Sequence, residues 1–207
     1  MAFRLWSAEF RNGMRIPVER TALGSSSNPR LGWAEVPLET RELALLCEDP
    51  DAPFPKSFVH WIVYGMDPDV KSIPSAIPKD KHLSLPLECK QGRNSMGLVG
   101  YTGPNPPFWH RREHRYIFRL FALRETLTLA AGAGRGEFLD AIEGNVVAEA
   151  QLTGKYKKTP PQKVSAAIFW TALAGGAALV FGRMTSERRG QRRNHPEERS
   201  DEISRAG

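Results

Sequence analysis

The sequence has little cysteine and no strong cluster of charge. Its 207 residues include two cysteines, Cys47 and Cys89, which are too few for a disulfide framework. Cys47 follows the apolar run 43–46, so we expect a buried free thiol at this position. Lys and Arg exceed Asp and Glu by only six charges, 29 against 23. This small excess favours weak attraction to phosphate and argues against a nucleic-acid partner, because nucleic-acid binding needs clustered positive charge.

A signal peptide and the motifs of several enzyme classes are also absent. Residues 1–10 alternate charged and apolar side chains, whereas a signal peptide has a continuous apolar segment, so we expect the folded part to remain in the cytoplasm. The chain has no Gly-x-Ser-x-Gly elbow, no His-Glu-x-x-His zinc motif and no Gly-Lys-Ser/Thr phosphate loop. No short-spaced pair of ligands supports a metal. We therefore expect neither metal nor cofactor.

Short apolar runs separated by Pro and Gly make up the first 125 residues. Leu43–Cys47, Phe58–Tyr64 and Tyr116–Leu123 are rich in β-branched, aromatic and aliphatic residues over strand lengths. A helix is predicted over 136–148 from apolar residues at helical spacing, and a last strand over 149–156. The pattern predicts a mainly β fold (β-rich α+β) of antiparallel sheets with one or two short helices.

The composition changes abruptly near Pro160-Pro161, which predicts a domain over residues 1–158 and a linker over 159–163. Residues 164–181 carry no charge. As a helix these residues span roughly 27 Å, close to the thickness of a bilayer's hydrocarbon core. Because this helix has no polar face, we interpret 164–182 as a hydrophobic helix outside the domain and a candidate membrane anchor. Residues 183–207 are polar and are predicted to be disordered.

The first polar motif is Asp49-Pro50-Asp51-Ala52-Pro53, followed by His60-Trp61. The prolines stiffen the turn and prevent the preceding strand from continuing. Both carboxylates could simply cap the turn, and His60, on an apolar strand, could be a satisfied core residue as well as a pocket residue. The motif alone leaves these alternatives open.

The second polar motif comprises the loop 100–107 and His114-Arg115-Tyr116. Its glycines allow close backbone approach and could expose N–H donors to an anion. His114 and Tyr116, two residues apart on a strand, point to the same face. Arg115 points the other way, and we expect it to form a structural ion pair.

These motifs, in this order, resemble the phosphatidylethanolamine-binding protein (PEBP) family, specifically its bacterial Raf-kinase-inhibitor-like branch. The resemblance covers about residues 3–157. It also includes Phe10-Arg11-Asn12-Gly13, Ile16-Pro17, Pro29-Arg30-Leu31-Gly32-Trp33, Ala141-Ile142-Glu143-Gly144, Ala148-Glu149-Ala150 and Leu152-Thr153-Gly154-Lys155-Tyr156.

The resemblance implies two antiparallel sheets and a small anion-binding cavity. Its expected lining is Asp49, His60, His114 and Tyr116, with Gly103 and Pro106 in the rim. It further implies a non-enzymatic protein that binds a phospholipid headgroup, a phosphorylated small molecule or a phosphopeptide. Such binding often regulates kinases or proteases in this family, so a protein partner is left open, as is a homodimer.

In the expected chemistry, Tyr116 hydroxyl, a ring N–H of each histidine and loop amides donate to phosphate oxygens. Asp49 would accept from one histidine and favour its protonated form, so binding is predicted to weaken as pH rises through the histidine range. Two other classes stay open. One is a small hydrolase that uses Asp49 with His60 or His114 as an acid–base pair, and the other is a scaffold tethered to a membrane through 164–181.

Two positions and one segment depart from the family pattern. Asn28 stands where Ser is usual, and Asn145 stands where His is common. The segment 108–113 lacks the usual glycine and contains Phe108, Trp109, Arg111 and Arg112. This bulky, basic segment changes the expected mouth of the pocket.

Overall fold

The strands of this protein form two antiparallel sheets, described in a computed structural model for residues 2–159. The larger sheet has the order β6-β7-β4-β3-β8-β9 and the smaller one the order β1-β2-β5. In chain order the elements are β1 (Arg4–Ser7), a 3-10 turn (Val18–Arg20), β2 (Leu31–Ala34), β3 (Glu42–Asp49), β4 (Phe58–Met66), β5 (Ser72–Ile73), β6 (His82–Leu83), β7 (Cys89–Gln91), β8 (His114–Leu123), α1 (Arg135–Ile142) and β9 (Val146–Tyr156).

The central strand β3 is buried at every position because both faces of the large sheet are covered. Alternate residues such as Leu45 and Cys47 pack with the core that includes the small sheet. The residues between them, such as Leu46, pack with Phe138 of α1. A strand buried on both faces has a continuous apolar run rather than alternation, which explains the sequence of β3.

The predicted fold class is confirmed, since the described chain is mainly β with two antiparallel sheets. The three strong strand predictions also coincide with β3, β4 and β8. Cys47 and Cys89 are both buried free cysteines, as expected for Cys47.

The predicted helix over 136–148 is wrong at its C-terminal end. The helix ends at Ile142, and Gly144 has φ +71°, a conformation that breaks the helix and suits glycine. Val146 instead pairs with Leu123 at the start of β9. The apolar pair 146–147 continued the helical spacing by coincidence, and β9 begins three residues earlier than predicted.

The predicted linker beyond Thr159, the hydrophobic helix 164–182 and the tail 183–207 lie outside the described residues. Among residues 2–159, no helix is both long and apolar enough to cross a membrane.

The antiparallel order of the central strands places three polar segments at one end of the large sheet. β3 ends at Asp49, where it pairs with Phe58 at the start of β4. On its other side, Glu48 pairs with Ile117 near the start of β8. Because neighbouring strands run in opposite directions, the end of β3 and the starts of β4 and β8 meet.

Candidate functional site

A cavity of about 380 Å³ opens at this end of the sheet. The six residues singled out in the sequence all line it: Asp49, His60, Gly103, Pro106, His114 and Tyr116. Apolar side chains, including Phe54, Phe58 and Met96, form much of the remaining wall. The cavity thus has a few polar groups in a mostly apolar enclosure, which is the usual composition of a small-ligand site.

Asp49 is the buried centre of the polar groups. Its Oδ2 accepts a hydrogen bond from His114 Nδ1 at 2.8 Å, and its Oδ1 accepts one from the Asp51 backbone N–H at 2.8 Å. The Asp49 and His114 side chains are almost completely buried. Because an ionised carboxylate only accepts, this contact fixes the Nδ1 proton of His114 and the orientation of its ring.

The other nitrogen of His114 also has a partner. His110 Nδ1 lies 2.8 Å from His114 Nε2, and the two rings pack with centroids 5.0 Å apart. Neither the polar motifs nor the resemblance singled out His110. The sequence could have indicated His110 by its position four residues before His114, in the segment that departs from the family pattern.

His60 is held as a neutral ring. Its Nδ1 lies 2.8 Å from the Thr102 carbonyl oxygen and must donate to it, because a carbonyl only accepts. Burial lowers the pKa of His60 to about 4, while the Thr102 carbonyl and the Asp49 charge oppose this effect. The ring packs edge-on against Tyr116 at 5.0 Å. At neutral pH its Nε2 therefore carries a lone pair rather than a proton.

The expectation that each histidine offers an N–H to a ligand is consequently wrong for this state of the protein. The Nδ1 proton of His60 is committed to Thr102. His114 is bonded to Asp49 through one nitrogen and to His110 through the other. Both rings line the cavity, but some of their ring nitrogens already have hydrogen-bond partners within the protein.

Tyr116 is the polar group of the site without a partner. Its hydroxyl is buried and makes no hydrogen bond of ordinary distance and angle with any of residues 2–159. Burial raises the pKa of Tyr116 well above its usual value, and the neighbouring Asp49 raises it further through its charge and through a weak contact with the hydroxyl. The hydroxyl therefore stays protonated and retains an unused hydrogen-bonding capacity on the cavity wall.

Two of the loop amides next to the cavity already have partners within the protein. The Thr102 N–H donates to the His60 carbonyl at 2.9 Å, and the Gly103 N–H donates to Ser26 Oγ at 2.8 Å. Glycine is needed at 103 for a packing reason, since a Cβ there would lie 2.6 Å from the Arg20 carbonyl oxygen. The loop shapes the rim rather than presenting free donors at these two positions.

Several of the polar residues have structural roles. Arg115 forms the predicted ion pair, with Asp51 as its partner at 2.9 Å. Asn28 is buried and bonds to the carbonyl oxygen of Pro74 and the N–H of Ile77. Asn145 exchanges two hydrogen bonds with the backbone of Glu125.

Two further surfaces lie near the site. A more open groove of about 710 Å³ shares the Phe54 and Phe58 wall, but no histidine or acidic residue lines it. Phe108 and Trp109 pack edge to face, with centroids 5.0 Å apart, and are 51% and 66% exposed.

Within residues 2–159, no group of three or more His, Cys, Asp or Glu side chains is arranged to hold a metal ion.

Fold and cavity together define a class of small β protein with a mostly apolar pocket that holds a few polar groups at one end of its larger sheet. Residues 6–157 match the sequence profile of the phosphatidylethanolamine-binding protein family. Because this match spans most of the sequence, the chain belongs to that family.

Relatives from distant organisms support this membership. A UPF0098 protein of Methanothermobacter thermautotrophicus is 41% identical over 149 residues, which are 72% of this chain and 95% of the relative. Among solved structures, a PEBP homologue from Chlamydia trachomatis is 33% identical with a TM-score of 0.68, covering 76% of this chain and 98% of its own. E. coli YbcL, described as a member of the mammalian PEBP family, is 26% identical with a TM-score of 0.71, covering 77% and 100%.

Proposed function

We propose that this protein is a non-enzymatic binder of phosphate-bearing ligands and that the cavity around Tyr116 receives the phosphate. The observation that carries this proposal is the buried Tyr116 hydroxyl, which makes no hydrogen bond of ordinary geometry within the described chain and belongs to a residue that lines the cavity. A buried polar group without a partner costs about 1–3 kcal/mol. A ligand oxygen that bonds to this hydroxyl would recover part of that cost, so the site favours an occupant with acceptor oxygens.

The second polar contact is expected at His60. With its proton on Nδ1, the ring offers the Nε2 lone pair as an acceptor at neutral pH. A phosphate monoanion carries a P–O–H group that can donate to this nitrogen, while another of its oxygens accepts from Tyr116. A phosphodiester lacks that proton and would require His60 to become charged, against the burial that lowers its pKa to about 4. Phosphate monoesters and inorganic phosphate are therefore the favoured ligand chemistry.

Recognition is a better match to the site than turnover. The hydrolase alternative needs a nucleophile or a water next to the Asp49–His114 pair. While His110 is in place, the nitrogen of His114 that would activate such a group is bonded to His110 instead. Burial also raises the pKa of the nearby Cys47 thiol well above its usual range, which leaves this thiol unreactive.

The test is calorimetric titration of the full chain, purified without phosphate, with inorganic phosphate, phosphoethanolamine and a phosphoserine peptide. Wild-type protein should bind at least one of these, and Tyr116→Phe should weaken binding by about tenfold to a hundredfold, the loss expected for one hydrogen bond to a charged group. Tyr64→Phe is the matched control, because its hydroxyl bonds to Ala130 away from the cavity. Equal affinity in wild type and Tyr116→Phe would contradict the proposal.

A parallel assay distinguishes binding from catalysis. The same chain is incubated with p-nitrophenyl phosphate and p-nitrophenyl acetate, and no turnover above the buffer rate is expected. Turnover that His114→Ala abolishes would favour the hydrolase. The phosphopeptide arm of the titration addresses the regulatory role, since a regulator that acts through phosphorylated partners should bind the peptide more tightly than inorganic phosphate.

A further inference from the structure

Three side chains form a continuous hydrogen-bonded row beside the cavity. The row runs from Asp49 Oδ2 to His114 Nδ1 at 2.8 Å, and from His114 Nε2 to His110 Nδ1 at 2.8 Å. Its inner end is buried, since His114 is 1% exposed. Its outer end is the half-buried ring of His110, which belongs to the segment 107–113, here called the His110 loop.

The number of protons in this row is restricted. His114 Nδ1 must carry a proton, because Asp49 can only accept. Between His114 Nε2 and His110 Nδ1 there is room for one proton, which either ring can donate and the other must accept. If both nitrogens were protonated, the hydrogen bond would be lost and two positive rings would face each other.

We propose that His110 masks Nε2 of His114, and that an anionic ligand reaches this nitrogen only after His110 has moved away. The inference rests on the proposed anion-binding function of the cavity. His114 lines that cavity, and its Nε2 is the one ring nitrogen that Asp49 leaves available. In the described structure His110 occupies it, so His110 and a phosphate oxygen compete for the same atom.

The His110 loop has the properties that such a competitor requires. On its N-terminal side, Phe108 and Trp109 are largely exposed, and on its C-terminal side Arg111, Arg112 and Glu113 are exposed as well. The His110 N–H bonds only locally, to the Pro107 carbonyl at 3.0 Å. Displacement of the His110 ring therefore breaks one side-chain hydrogen bond and one ring contact without disturbing a strand.

Two substitutions of His110 test the masking, because one removes the masking group and the other keeps it. His110→Ala removes the masking group. His110→Asn keeps it, because the Asn amide nitrogen can occupy the position of the His Nδ1 and its oxygen can accept if His114 is protonated, but this side chain does not titrate. Neither residue change touches the Asp49–His114 bond.

The experiment uses the full chain and compares wild type with the two variants at one neutral pH. With inorganic phosphate as the probe, His110→Ala should bind about fivefold more tightly than wild type, the factor for one competing hydrogen bond. His110→Asn should bind like wild type, because it keeps the masking group. Equal or weaker binding by His110→Ala would overturn the inference.

A ligand-free measurement keeps this test separate from that of the proposed function. Long-range ¹H–¹⁵N spectra report the protonation and hydrogen bonding of the His114 ring nitrogens. Nε2 of His114 should change its resonance in His110→Ala but not in His110→Asn, while Nδ1 stays bonded to Asp49 in all three proteins. Identical His114 spectra in wild type and His110→Ala would overturn the masking itself. A changed spectrum together with no phosphate binding by any of the three proteins would establish the masking and reject the anion-binding function.

Discussion

Arg115 and Asp51 are joined by a two-pronged ion pair. Arg115 Nε and Nη2 each lie 2.9 Å from a different carboxylate oxygen of Asp51, and the Arg115 backbone N–H donates to the same carboxylate at 2.9 Å. Asp51 is two residues beyond Asp49, and Arg115 follows His114. The pair therefore ties the turn after β3 to the start of β8, directly beside the buried Asp49–His114 contact.

Loss of this ion pair should destabilise the protein modestly and only above acidic pH. The pKa of Asp51 lies below its usual value, and the largest cause is the side-chain hydrogen bonding from Arg115. Partial burial of Asp51 opposes this effect. A carboxylate with a lowered folded-state pKa stabilises above its unfolded pKa, and this contribution is lost as pH falls through the folded value. Because Arg115 is half exposed, solvent screening reduces the pair to about 1 kcal/mol.

Urea unfolding of Arg115→Ala checks this prediction. The free energy of unfolding should fall by about 1 kcal/mol at neutral pH, and the difference from wild type should shrink as pH falls below the usual range of an aspartate carboxyl. Arg11→Ala, at another exposed arginine, is the control and should differ little from wild type. A difference for Arg115→Ala that persists undiminished at pH 3 would show that the ion pair is not its cause.

Tyr116→Phe should leave the stability unchanged or raise it by up to about 1 kcal/mol. The substitution removes a buried hydroxyl that makes no hydrogen bond of ordinary geometry in the described chain, so at most its weak contact with Asp49 is lost and a desolvated polar group disappears. Tyr64→Phe should instead cost about 1–2 kcal/mol, because the Tyr64 hydroxyl donates to Ala130 and accepts from the Ala133 N–H. Thermal unfolding without phosphate measures both. A large loss in Tyr116→Phe would mean that its hydroxyl has a partner in solution.

The strands and the members of the cavity could be predicted because each left a strong local signal. Runs such as 58–64 have the composition of buried strands. The polar cavity residues were predicted from motifs whose order matches a family, since the pairing of strands that brings Asp49 to His114 cannot be deduced from their spacing of 65 residues.

The hydrogen-bond partners could not be predicted in the same way. Thr102 contributes to the site through its carbonyl, which any residue would have, so its contact with His60 leaves no trace in the side-chain pattern. Ser26 occupies the Gly103 amide from a loop 77 positions earlier in the chain. The contact of His110 with His114 depends on the conformation of a segment that departs from the family pattern, so it could not be deduced from the sequence.

Two glycine substitutions should have opposite signs. At Gly103 an added Cβ would lie 2.6 Å from the Arg20 carbonyl oxygen, a backbone atom that cannot easily move. Gly103→Ala should therefore cost about 1–3 kcal/mol through strain. At Gly136, within α1, a Cβ meets no atom within 4 Å, so Gly136→Ala should stabilise by about 0.5–1 kcal/mol. Chemical denaturation measures both, and equal effects of one sign would contradict the packing of loop 100–107 against residues 20–22.

The stability of the protein should fall steeply between about pH 6.5 and pH 4 because of His60. Burial lowers its pKa from 6.5 to about 4, so over this interval the unfolded chain binds a proton that the folded chain excludes. A histidine with a lowered folded-state pKa therefore contributes a loss of stability as pH falls below its unfolded value, and the loss is complete once pH reaches the folded value. The free energy of unfolding lost between these two pKa values corresponds to about 3 kcal/mol.

His60→Asn isolates this contribution. The Asn amide nitrogen can still donate to the Thr102 carbonyl, but the side chain does not titrate. Urea unfolding over this pH range should show a slope that is shallower in His60→Asn than in wild type by about 1.4 kcal/mol per pH unit near its steepest point. His82→Asn, at an exposed histidine in β6, should keep the wild-type slope. If His60→Asn also kept it, His60 would be charged in the folded protein, and a phosphodiester would then face no penalty at this nitrogen.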